Sequence, residues 1–163
     1  MPSYKVTFDD FESGVSDAYK TAVAVIANDD DQARFRITSV TVGPSDNTPP
    51  DANLSVVLHR IADVSGGTAG TAAATIASGA IQRANVNSQD PLASAKTEYS
   101  AEPTVYESEV LYIMDFNAHA GLPREFDRRN APVINRDQHI AIRVASRTGT
   151  AIRCSGTIEF EPI

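Results

Sequence analysis

The sequence predicts an all-β protein, an antiparallel β-sandwich of jelly-roll type, and three observations carry that expectation. Short runs of alternating apolar residues recur along the 163 positions, turn-forming residues separate them, and no segment repeats its apolar residues convincingly at helical spacing. The last 26 residues, QHIAIRVASRTGTAIRCSGTIEFEPI, show this best. Ile140, Ile142 and Val144 alternate with His139, Ala141 and Arg143, and Ile152, Cys154, Ile158 and Phe160 alternate with Arg153, Ser155, Thr157 and Glu159. A period of two gives each strand one dry and one wet face. The intervening Arg147-Thr148-Gly149-Thr150 predicts a hairpin. A jelly roll fits the uneven loop lengths better than a meander, because its two sheets are joined by long crossing loops.

Residues 3–8 (SYKVTF) alternate weakly and read as a short edge strand or as part of an N-terminal arm over 1–14. Residues 21–28 (TAVAVIAN) are β-branched and apolar, and they end at the acidic turn Asp29-Asp30-Asp31. In 33–43, Phe35 and Ile37 share one phase while Val40 and Val42 share the other, so a bulge or bend is expected near Ser39. Asp46, Asn47, Pro49 and Pro50 mark 44–52 as a loop. Leu54, Val56 and Leu58 then open a strand running to about Ala62. Residues 63–92 form one long loop of small side chains. A weak helical turn is conceivable over 72–81, but Gly79 and the threonines oppose a long helix. Residues 103–118 read as a long strand with Val110, Tyr112, Met114 and Phe116 on one face, and the irregular, arginine-rich 121–132 precedes the closing hairpin.

A chain of this length forms one domain, 1–163, and buries roughly two thirds of its unfolded surface. With no Trp and 7% aromatic residues, the core must rest mainly on Ile, Val, Leu and Ala. The single Cys154 excludes an intramolecular disulfide or a CxxC site, and its apolar phase makes it a small buried hydrophobe. The formal charge of -7 argues against a nucleic-acid partner, which needs a basic face. No apolar run reaches the length of a membrane span. The start, MPSYKVTFDDFESG, lacks the basic and apolar segments of a signal peptide, so synthesis and folding in a cytoplasm are expected.

No catalytic, metal or cofactor site is expected. His59, His119 and His139 lack the close partners of a zinc site, and each reads as a satisfied or solvated imidazole. The Asp29–Asp31 run lacks the Gly and distal Glu of a calcium loop. Gly66-Gly67-Thr68-Ala69-Gly70-Thr71 lacks the Lys and the following helix of a phosphate loop. The notable charge feature is Arg124, Glu125, Asp127, Arg128 and Arg129, in a chain with eleven Arg and three Lys. Arginine suits protein interfaces because its planar fork pairs carboxylates bidentately. The segment reads either as a solvated loop with local ion pairs or as a subunit contact. Candidate interface residues are Tyr4, Val6 and Phe8 of the arm together with Arg124, Arg128 and Arg129.

The strand LSVVLHR (54–60), the Gly/Thr/Ala loop of 66–74, the segment ASAKTEYSAEPT (93–104) and the final GTIEFE (156–161) carry a family resemblance. Over 33–161 the chain resembles the jelly-roll capsid decoration, or cement, proteins of tailed phages. The resemblance rests on texture and strand order, with no invariant motif. It implies a non-enzymatic virion protein, made in the host cytoplasm, that sits as a homotrimer on the outer capsid surface and clamps the major capsid protein. It implies no cofactor, nucleic-acid or membrane partner. The arm and the 63–92 loop would make the contacts. Two other readings are a tail or baseplate module that binds host-surface glycan through Tyr99 and Tyr106, and a cupin-like metalloenzyme, which lacks a clustered His and carboxylate set.

Overall fold

The computed structural model describes residues 3–61, 77–78, 81–83, 92–97, 99, 102–103 and 106–163. Alternation becomes strand throughout, and there is no helix among the described residues. The strands are β1 (Tyr4–Glu12), β2 (Lys20–Ala27), β3 (Phe35–Pro44), β4 (Asn53–Ile61), β5 (Ala77–Ser78), β6 (Gln82–Arg83), β7 (Ala93–Thr97), β8 (Tyr106–Asn117), β9 (Leu122–Glu125), β10 (Val133–Ile134), β11 (His139–Ser146) and β12 (Arg153–Pro162). One sheet runs β10-β3-β12-β1-β6, with β9 also on β3; the other runs β5-β7-β2-β11-β4-β8. All their pairings are antiparallel, and the sheets pack face to face as a β-sandwich around one main core.

The pairing is nested. β1 lies against β12, β2 against β11, β3 against β9 and β10, and β4 against β8. This corrects the expected closing hairpin: β11 and β12 lie in different sheets, and residues 147–152 cross between them. Alternation fixes which side chains face inward but not which strand lies alongside. Each of these apolar strands is flanked on both sides, β11 by β2 and β4, and β12 by β1 and β3.

The crossing from β1 to β2 runs beside the crossing from β11 to β12 and is bonded to it. The Ser13 amide donates to the Ile152 carbonyl (3.0 Å), the Ile152 amide to Ser13 Oγ (3.0 Å), and the Gly14 amide to the Val144 carbonyl (3.1 Å). A side chain on Gly14 would run into the Ala18 carbonyl. Only a residue without Cβ passes here.

β1 is not an arm. It pairs along its length with β12 and, at Tyr4 and Lys5, with β6, and Tyr4, Val6 and Phe8 are core residues with 2%, 0% and 3% of their surface exposed. Three apolar residues at a period of two were enough to seat it, and the broken pattern after Phe8 is a bulge at Asp9-Asp10, with Asp10 in the left-handed region (φ 50°). Phe8 lies directly over Gly156: a Cβ there would come 2.6 Å from the ring. The bulge expected near Ser39 is present, since Ser39 and Ile37 face successive residues of β12 and Thr38 is left over. A further bulge leaves Leu111 of β8 without a partner on β4, and so Val110 stands beside His59, away from the face of Tyr112, Met114 and Phe116. Of the long loop, only 77–78, 81–83 and Leu92 lie within the described residues; the 72–76 part of its expected helical turn lies outside them, and Ala77–Ser78 is strand.

Cys154 is fully buried as expected, and burial pushes its thiol up to about 12; burial, with the Glu102 charge, also pushes the Tyr99 phenol up to about 12. The unfolded chain therefore loses both protons first, so stability falls as pH climbs from about 9 toward 12. Urea titrations across that range will show a declining midpoint, and Cys154→Ala will flatten the decline. Gly14→Ala will cost about 3 kcal/mol through overpacking against backbone, measured by the same titration at neutral pH.

Candidate functional site

The bulge at Thr38 builds the arginine-bearing surface. Its carbonyl accepts the Phe126 amide (2.9 Å), which turns the chain at the end of β9 and lowers the Phe126 ring into the sandwich edge. There the ring meets Tyr112 of β8 at 4.9 Å between centroids, and the Tyr112 hydroxyl donates to the Asn130 carbonyl (2.6 Å). Residues 126–130 thus bridge the two sheets. The Asp127 carboxylate accepts the Arg129 amide (2.8 Å) and its carbonyl accepts the Asn130 amide (2.9 Å), closing a turn.

On this frame Arg124, Arg128 and Arg129 are all exposed. The Arg124 guanidinium sits 5.6 Å from the Phe126 ring centroid, a cation-π contact that restrains its fork. Arg128 Nε lies 3.8 Å from Glu161, whose other neighbour is Arg36 at 3.1 Å. The Arg128 side chain remains 68% exposed, so this long contact holds it only weakly. The arrangement leaves three guanidinium groups in water on one segment. Of the six residues predicted to form an interface, the structure leaves these three exposed on one segment and places Tyr4, Val6 and Phe8 in the core.

A second polar cluster was not legible in the sequence. The predicted wet face of β11 is covered: Ala141 and His139 are buried, and Tyr99 packs on Ala24, Ile61 and Ala141 as a small outer core. Nearby, Glu102 accepts from the Thr21 amide (2.5 Å) and the Thr21 hydroxyl (2.6 Å), and lies 3.5 Å from Arg143. Arg143 also reaches His59 Nδ1 (3.3 Å) and the Tyr19 carbonyl (3.4 Å), with its charge 5.8 Å from the Tyr19 ring centroid. The Tyr19 and Ser55 hydroxyls are 2.8 Å apart. Ser55, and after it Arg147, hold the Asp115 carboxyl below the usual carboxylate range. The signal for this cover was Ala24 and Ala141, small residues on a face expected to be polar. Tyr99, proposed as a glycan platform, is one of the covered residues and presents no open ring.

Among the described residues, no group of three His, Cys, Asp or Glu side chains is arranged to hold a metal ion, and no helix is long and apolar enough to cross a membrane. The acidic turn serves Arg136, which pairs with Asp29 and Asp31 and whose pKa they raise. Compared with protein-family models, curated proteins and solved structures, the chain matches none of them.

The Glu102 side chain is 32% exposed and its Arg143 partner 17%, so removing the carboxylate strands donors that are mostly out of water. Glu102→Ala will destabilise the protein by about 1–3 kcal/mol in urea unfolding, whereas Glu12→Ala, which removes an open pair with Lys20, will change it by less than about 0.5 kcal/mol.

Proposed function

We propose that this chain is a non-enzymatic virion structural protein, a capsid decoration protein that binds the outer capsid surface as a homotrimer and stabilises the shell. The observation that carries this reading is the presentation of Arg124, Arg128 and Arg129 outward from a segment pinned by the buried Phe126 ring. Exposed arginine forks on an otherwise acidic chain suit a carboxylate-rich protein partner, and the acidic balance disfavours polyanions. The major capsid protein is that partner, met after synthesis in the host cytoplasm. Three copies give each assembly three such footholds, so modest contacts multiply through avidity.

The jelly-roll expectation belongs to the same reading. Its support is the nested order, β1-β12-β3-β9 in one sheet and β2-β11-β4-β8 in the other, the pattern of a long antiparallel ribbon rolled on itself.

Co-sedimentation with purified capsid shells tests the proposal. The chain will pellet with shells, less so as salt rises. The double reversal Arg128→Glu/Arg129→Glu will weaken capture at least about tenfold at low salt, a loss of about 1.4 kcal/mol, with an unchanged unfolding midpoint. Equal capture of the two proteins would remove the arginine surface from the mechanism, and no capture of either would remove the capsid reading.

A further inference from the structure

Two side chains cover the outer face of the second sheet, and each is held in a different way. Among the described residues, Tyr99 packs on Ala24, Ile61 and Ala141, a cluster separate from the main core. Two of these three neighbours are alanines, which offer the ring one methyl group each. Tyr99 is 6% exposed, and its hydroxyl is buried with no hydrogen-bond partner. A hydroxyl in that position forfeits the bonds that water would give it. Burial of the ring closes the cover, and the unpaired hydroxyl favours its opening.

Glu102 holds by charge. Its carboxylate accepts from the Thr21 amide and the Thr21 hydroxyl and lies 3.5 Å from Arg143. The side chain is 32% exposed, so water competes for these contacts. The strands beneath do not depend on either residue. β2 is paired with β7 and β11, and β11 with β2 and β4, by ladders that contain neither Tyr99 nor Glu102.

We infer that Tyr99 and Glu102 form a latch that opens while the sandwich stays folded. Closed, it shields Ala24 and Ala141. Open, it bares these alanines together with the amide and hydroxyl of Thr21, two donors that then meet water or another carboxylate. The sheet survives the opening because its main-chain ladders remain whole, so the second surface is presented by a minor population of the folded protein. This inference does not rest on the capsid reading, since it concerns contacts inside one chain and holds for the protein alone in solution.

Native-state hydrogen exchange, followed residue by residue by NMR, tests it. The Thr21 amide donates to Glu102 and reports the latch, while Val25, paired with Ile140 and Ala95, reports the sheet. Thr21 will exchange at least about tenfold faster than Val25, at a rate nearly insensitive to low urea. Tyr99→Phe keeps the ring and removes the unpaired hydroxyl, and it will slow the Thr21 amide at least about tenfold. Simple fraying at the start of β2 would leave the Thr21 rate unmoved by that substitution. A Thr21 rate equal to that of Val25, or one that climbs as steeply with urea, overturns the latch, because the cover would then leave only when the whole sandwich unfolds. So does a Tyr99→Phe protein whose Thr21 amide exchanges at the native rate or faster.

Discussion

One row of aromatic rings organises the first sheet. Phe160 of β12 stacks on Tyr4 of β1 at 5.7 Å and meets Phe35 of β3 edge-on at 5.5 Å. Each such contact adds about 0.5–1.5 kcal/mol beyond the area it buries. Its larger effect is on register. The row ties three strands at one level, and a slip of one residue would turn every inward side chain of β12 outward. Further along, Gly156 leaves room for Phe8, which meets Phe11 edge-on at 6.1 Å. Large rings and a missing side chain together hold β1, β12 and β3 in place. The Thr38 bulge, and through it the anchored Phe126, inherit their position from that alignment.

Local alternation was a good guide to what each strand buries. Val23, Val25, Leu54, Val56, Leu58, Ile140, Ile142, Cys154 and Ile158 all point into the core, as their period of two requires. The change of phase in β3 located its bulge because two apolar pairs on either side bracketed it. Partner choice was hidden, since β11 and β12 satisfy their patterns equally well as a hairpin or in separate sheets. The bulge in β8 was hidden too, because an unbroken apolar run (VLYIM) carries no phase to interrupt. The arginine surface was half legible: its charges were plain, but nothing local revealed that Phe126 would hold it. Tyr4, Val6 and Phe8 were assigned to an arm because the acidic residues after them looked like the end of order. Those residues form the bulge from which β1 continues to Phe11.

The two sheets have different outer faces. On the first sheet Lys5, Thr7, Thr41, Thr157 and Glu159 face water from adjacent strands, as an ordinary solvated surface. On the second, Tyr99 and Glu102 lie across β2 and β11, and small alanines make the space. The covered face is fixed by an ion pair and hydrogen bonds within the chain. Among the described residues the arginine-bearing segment beside β9 lies apart from that covered face.

The nested pairing also fixes an order of events at the ribosome. Tyr4 emerges long before its neighbour in the sheet, Phe160. Until β12 has left the exit tunnel, β1 and β3 have no strand between them, and their apolar faces stay open. The faces that carry Val6, Phe8, Ile37 and Val40 therefore wait for β12 to be made, and contacts across so long a loop form slowly. Acidic residues, Asp9, Asp10 and Glu12 in the second half of β1 and Asp29 to Asp31 before β3, set like charges beside these faces, and charges so placed oppose association of exposed strands.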